Sequence, residues 1–250
     1  KINYLAAINY SNSWATNVIE RNSWVPSNDG LTQFDGLSWT GTEHSVDASG
    51  IFTTGLDFNI NHNVRLTSIV LRKTDNLVGR ANGFVEDSLD VELNESRWIE
   101  RQLLSNQLQG DHFFPDLNEL TVNWRVSKIT AGRDAPDERI YRRDNGEFSS
   151  RVDGNLRNWS VLDDEVQDFG LDLSMTFYGG PADSVITTRA GYMLVEKDRS
   201  SEIRRFGFAF SGALANDTDL LMKPIEEILV PDNIVSNGFT IREITRPTDN

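Results

Sequence analysis

Period-two alternation constrains this chain more than any other feature. In NELTVNWRVSKIT, Leu120, Val122, Trp124 and Val126 fall on one side of an extended backbone, and Thr121, Asn123, Arg125 and Ser127 on the other. DFGLDLSMTFY places Phe169, Leu171, Leu173, Met175 and Phe177 opposite Gly170, Asp172, Ser174, Thr176 and Tyr178. The same alternation runs through Ile2–Tyr10, Val46–Phe58, Ile186–Leu194 and Phe206–Phe210, and more noisily through NVRLTSIVLRK and SRWIERQLLSNQLQG. An all-β chain follows: an antiparallel meander of about seven long strands, each apolar on one face and polar on the other.

The lengths point further. The alternating runs last about ten to twelve residues, whereas strands of water-soluble sheets usually last ~5–6 and a tilted strand crossing a bilayer needs ~9–11. NINHN, DHFFPDL and GGPADS read as short turns on one side. Between them lie long polar tracts, about 15–43, 74–95, 132–166 and 211–250, which we expect to be loops on the other side. That asymmetry is the pattern of a transmembrane β-barrel. Tyr10, Trp14, Phe58, Trp98, Phe114, Phe169 and Phe177 fall near strand ends, where an interfacial aromatic girdle would sit. ANGF and DNGEF are turn signals, and MKPIEEILV could form one short helix.

Composition excludes several functions. A net charge of −14 argues against nucleic acid as the partner. With no cysteine, disulfides, thiolate metal sites and cysteine nucleophiles are out. No apolar run is long enough for a transmembrane helix. The chain opens on KINYLAAINY and closes on ITRPTDN, and we expect it to be one domain, residues 1–250, cut from a longer protein.

The strings LTVNWRVSKITAGRDAPDERIYRRDNGEF, RNWSVLDDEVQDFGLDLS, SRWIERQLLSNQLQGDH and KDRSSEIRRFGFAF, in that spacing, resemble the middle barrel region of TonB-dependent receptors of Gram-negative outer membranes. The resemblance is densest from about residue 95 to 210. It implies a larger barrel filled by an N-terminal plug, energy from the TonB complex through that missing N-terminal region, and import of a scarce siderophore, cobalamin or glycan. It implies an outer-membrane location, lipid around the barrel and no enzyme activity. The plug and terminal strands are absent from this sequence, so function belongs to the parent protein.

Candidate ligand-recognition residues lie in the expected loops: Trp24, Trp39, Arg133, Asp137, Glu138, Arg139 and Trp159. The carboxylates of DAPDER and LDDEVQD would be solvated and flanked by arginines, which does not favour the raised pKa of a general acid. Neither DGLTQFDG nor RVDGNLRN matches a calcium loop, and His44, His62 and His112 are scattered. No cofactor or metal site is expected. Two other readings remain open: a secreted β-sandwich binding glycan through Trp24, Trp39 and Trp159, and a passive porin-like channel.

Overall fold

A computed structural model describes residues 1–85, 88–179, 184–235 and 238–246. They form one antiparallel sheet. Its long strands are β1 (Ile2–Ser27), β2 (Gly30–Asn59), β3 (His62–Val85), β4 (Ser88–Phe114), β5 (Leu120–Asp144), β7 (Leu156–Tyr178) and β8 (Val185–Phe210). Two short strands complete it: β6 (Glu147–Phe148) beside β5, and β9 (Phe239–Glu243) beside the end of β8. Strand order follows chain order and the sheet is not closed, with β1 and β9 at its edges.

The alternating segments are strands, as their pattern requires, but they are only the lower halves of strands. Three of the four tracts expected to be loops are the continuations of those strands, zipped into long hairpins. Residues 15–43 belong to β1 and β2, which pair in register from Ile2↔Leu56 to Ser27↔Gly30, with one shift at Ser23/Trp24. Residues 74–85 continue β3, 88–95 belong to β4, and most of 132–166 lies in β5 and β7. At ~3.3 Å per residue, the 26 residues of β1 reach roughly 80 Å. The turns at 60–61 and 115–119 are short, as expected; residues 180–183 of GGPADS lie outside the described residues.

DNGEF makes the expected turn, with Asn145 at φ 53° and Gly146 at φ 86° joining β5 to β6. ANGF does not turn. It lies inside β3, where the pairing slips beside Gly83. Gly83 has φ 153°, and a Cβ there would fall 1.9 Å from the Gly36 carbonyl oxygen.

The fourth tract, 211–250, is not a plain loop: its described residues 211–235 fold as a small cap of three single turns, Ala213–Asn216, α1 (Thr218–Leu221) and α2 (Ile225–Ile228), and 239–243 form β9. Asp217 caps α1 by accepting the Leu220 N–H at 3.0 Å. The one helix expected in MKPIEEILV is thus α2, with α1 just before it. Leu221 and Ile228 bury against Phe148 and Phe239, with Tyr141 and Phe210 at the margin. Phe210 meets Phe239 edge-on at 4.7 Å.

The two faces differ throughout. Residues paired directly across antiparallel strands share a face, so the register assigns every side chain. Towards the short turns, one face carries Ile2–Tyr10 of β1, Val46–Leu56 of β2, Val64–Val70 of β3, Leu104–Phe114 of β4, Leu120–Val126 of β5, Phe169–Phe177 of β7 and Ile186–Leu194 of β8, in alternate positions. This apolar belt is open: Ile8 is 90 % exposed, Val70 51 %, Leu194 46 %. On the other face, beyond the belt, Asp75, Leu77, Ala81, Val91, Ile99 and Ala135 are buried with no second layer over them, and so is Ser127. Side chains shield one another more on this polar face than on the belt face, and the polar face is called concave below and the belt face convex. A sandwich needs a second sheet against the apolar face; the described residues make a single sheet.

The belt runs obliquely. Its upper limit on β1, Tyr10, continues along one hydrogen-bonded row through Ala48, Arg72, Gln102, Gly132 and Asp163 to Ser200 of β8. On β8 the belt ends at Leu194, six positions earlier. Six residues of slip over six strand spacings of ~4.8 Å correspond to a tilt of roughly 35° between strands and the belt's normal. The turns recede in the same sense. The row of His62 reaches Leu173, five positions short of the end of β7 at Tyr178.

Candidate functional site

Above the belt the strands carry charged and aromatic residues on both faces, and a bulge decides which face each one takes. Pro136 has no N–H to give to a ladder. The pairing of β5 slips around it, between Ala135 and Glu138 toward β7 and between Ser96 and Glu100 toward β4. The extra residue flips the face of everything beyond it. Arg133 and Glu138 therefore share the concave face, while Asp137 and Arg139 stand on the convex one. The seven candidate residues do not converge. Trp24 lies near the far end of the β1–β2 hairpin, opposite Gln33, and Trp39 lies on the concave face of β2.

Three candidates do meet on the convex face. Asp137 accepts from Arg157 at 2.8 and 3.0 Å and from Arg139 Nε at 2.8 Å. Arg157 lies 5.1 Å over the Trp159 ring, and Trp159 meets Phe206 edge-on at 5.3 Å. Arg204 lies 4.9 Å over Phe206 and pairs with Glu243 at 3.2 Å. This ladder crosses β5, β7, β8 and β9. Burial pushes the Asp137 carboxyl up, but the Arg157 and Arg139 guanidiniums outweigh it and hold it below the usual carboxylate range. Burial raises the Tyr141 phenol nearby. Between the ladder and the cap is a recess of about 590 Å³, lined by Tyr141, Phe208, Ile225, Leu229, Arg139 and Arg157 among others.

The concave face is built differently. Trp39 lies flat against its neighbours. A Cβ at Gly41 would fall 2.0 Å from its indole, and one at Gly79 2.8 Å. Asp75 accepts from Ser45 at 2.7 Å and holds Arg101 and Lys73. Burial pushes its pKa up; those three donors outweigh burial, and the net shift is downward. Asp164 is held low first by Arg199 and then by Lys197. Arg133 donates to Ser160 at 2.6 Å and lies 3.7 Å from Glu138.

In DAPDER and LDDEVQD, Asp137, Glu138, Asp164, Glu165 and Asp168 thus pair with cations. Asp137, Asp164 and Glu165 all have lowered pKa values, the opposite of what a general acid needs. Among the described residues no three His, Cys, Asp or Glu side chains group to hold a metal. The histidines are less scattered than their sequence positions suggest. His62 stands opposite His112 with ring centroids 5.4 Å apart, and His112 Nε2 accepts from Trp124 Nε1 at 3.1 Å. His44 stacks on Trp14 at 4.0 Å. Pro136, inside an otherwise strand-like run, was the one sequence signal for the bulge that sorts the site. The chain matches no family model and no curated protein.

Proposed function

We propose that this chain is part of the barrel of an outer-membrane receptor of Gram-negative bacteria, acting with TonB in the energised uptake of a scarce siderophore, cobalamin or glycan. The oblique apolar belt is the observation that carries this reading. Barrel strands tilt by ~35–45° and face lipid over a band ~25 Å tall. Nine residues at ~3.3 Å, inclined by roughly 35°, span ~22 Å, close to that height. Lipid is the environment that suits an apolar convex face, and the polar concave face then lines the lumen. Above the belt, hairpins about 50 Å long supply the ligand entrance. Coupling to TonB and the ligand class rest on the sequence resemblance.

The absence of cysteine makes a clean test. Single cysteines at positions 169–174 are labelled with a membrane-impermeant maleimide in outer-membrane vesicles. Positions 170, 172 and 174 should react and 169, 171 and 173 should not, while 163 and 164 should both react. Equal labelling of the two faces across 169–174 would sink the membrane reading. Uptake is tested in a strain lacking the parent gene, grown on one limiting iron chelate, cobalamin or oligosaccharide. Growth on one of them should require both the protein and the proton-motive force. Growth that persists when that force is dissipated points to the passive channel.

A further inference from the structure

On the concave face, one hydrogen-bonded row carries a cation on each of three neighbouring strands. Lys73 of β3 stands opposite Arg101 of β4, and Arg101 opposite Arg133 of β5. Directly opposed like charges destabilise a strand pair, since their Cβ atoms lie only ~5 Å apart. Asp47 of β2 stands opposite Lys73 at the end of the row. Two positions farther from the belt on β3, Asp75 bonds Arg101 and lies 3.4 Å from Lys73. Asp75 is buried, whereas the Lys73 and Arg101 side chains keep 44 % and 46 % of their surface. The acid lies beneath and the cations face outward.

The same design recurs on β7 and β8, with its acid three strands from Asp75. Asp164, with 12 % of its side chain exposed, lies under Lys197 and Arg199, which keep 50 % and 54 %. Asp75 and Asp164 each sit five positions above the belt, beyond Val70 and Phe169. At the same height the convex face is acidic, with Glu100, Asp134, Asp163, Glu165 and Asp198 against Arg72 and Lys128. At this height Lys73, Arg101, Arg133, Lys197 and Arg199 stand on the concave side, in a chain whose net charge is −14. Asp75, which is buried, and Asp164, which is partly so, orient them while leaving them open to solvent.

We infer that Lys73, Arg101 and Arg133, with Lys197 and Arg199 beside them, form a binding site for a small polyanion bearing several carboxylates or phosphates. The site's place inside a pore rests on the receptor reading above; the row itself rests only on strand register. Guanidinium forks suit multidentate oxygen ligands, and removal of one charge-assisted hydrogen bond weakens binding roughly 10- to 100-fold.

Calorimetric titration of the detergent-purified protein at low ionic strength, with citrate and pyrophosphate as probes, tests this. A heat-modifiable shift on electrophoresis checks that each variant is folded. One or both probes should bind, more weakly as salt rises. Arg101→Gln and Arg133→Gln should each weaken binding at least tenfold, and Arg101→Lys should recover part of that loss. Arg72→Gln, at the same height on the convex face, should bind as the parent does. Preference for citrate or pyrophosphate identifies carboxylate or phosphate as the group recognised. The inference is overturned if neither probe binds, if the concave-face variants bind like the parent, or if Arg72→Gln weakens binding as much. Should Arg101→Gln not fold, Arg133→Gln decides alone. The maleimide pattern judges the receptor reading separately. Binding without that pattern leaves the site standing and removes the pore; the pattern without binding does the reverse.

Discussion

Leu173→Arg separates lipid from water as the medium around the apolar face. Leu173 lies at the centre of the nine-residue band Phe169–Phe177 on β7, directly opposite Val122 and Ala190. Four residues to either edge make ~13 Å along the strand, or ~11 Å of depth at a tilt of roughly 35°, which puts the side chain near the bilayer midplane. Arginine on the lipid face there costs ~2–4 kcal/mol, a factor of roughly 30 to 700 in the folding equilibrium. In water, the same change on an open strand surface alters stability by about 0.5 kcal/mol or less. Asn123→Arg is the companion. Its position is on the concave face opposite Asp172, so the new guanidinium meets a carboxylate and the change should be near neutral. The assay is reversible guanidinium unfolding in phospholipid vesicles, followed by tryptophan fluorescence. Leu173→Arg should lower the midpoint far more than Asn123→Arg. Equal midpoints for the two variants would refute the assignment of faces, and with it the membrane reading.

Three other outcomes follow from packing and charge. Gly41→Ala should destabilise by about 1–3 kcal/mol, because a Cβ 2.0 Å from the Trp39 ring forces it to move; Trp39→Ala should abolish that penalty, measured as a double-mutant cycle by urea unfolding. Asp137 has a folded pKa held below its ordinary 3.8, so the stability it contributes is fully present above that value and is lost as pH falls toward the folded value. Acid unfolding followed by intrinsic fluorescence should accordingly be shallower below pH 3.8 in Asp137→Asn than in the parent. Phe239→Ala removes a fully buried ring from the cap cluster and should cost about 3–5 kcal/mol locally. Limited proteolysis should then cut within 211–238 while the maleimide pattern of β7 stays unchanged.

The lower halves of the strands were legible because one of their faces is apolar and the other polar. Leu120 to Val126 alternate cleanly since one side is apolar surface and the other is wet. The upper halves were not legible, because both of their faces carry polar and charged residues and the sequence keeps no period of two there. Asn17, Glu20, Arg21 and Asn22 in β1, and their partners Gly41, Ser38, Leu37 and Gly36, carry no such signal. They are strands because cross-strand hydrogen bonding satisfies the backbone, not because a face must be buried. Those tracts looked like loops for that reason. The site was hidden for a second reason: its geometry depends on register. Trp39 over Gly41 and Gly79, His62 facing His112, and the row Lys73–Arg101–Arg133 join residues that are mostly dozens of positions apart, and a slip of one residue would separate every cross-strand pair. Asp137 and Glu138 of DAPDER do partner Arg139 and Arg133, as their neighbourhood in sequence suggests, but the bulge at Pro136 decides that Asp137 takes the convex face and Glu138 the concave one.

Among the described residues the sheet has no apolar core of its own outside the cap. Outside the cap, its buried apolar residues are few and mostly small, such as Ala81, Val91 and Ala135, and they lie on the concave side. Backbone hydrogen bonds contribute only ~1 kcal/mol each net of water, against about 1–2 kcal/mol of backbone entropy per ordered residue, so the ladder alone does not sustain strands of this length. What remains is the belt, whose Ile8, Phe52, Leu108, Val126 and Leu194 all stand exposed. Removing such side chains from water at ~25 cal/mol per Å² is the largest driving force the sheet itself leaves unused. The cap reaches only the upper ends of β5 and β8, so no described segment of this chain covers the belt. A continuous apolar medium that wraps all seven long strands at one slanted height meets that need, which is why the stability of the sheet and the proposed location in a bilayer are one question.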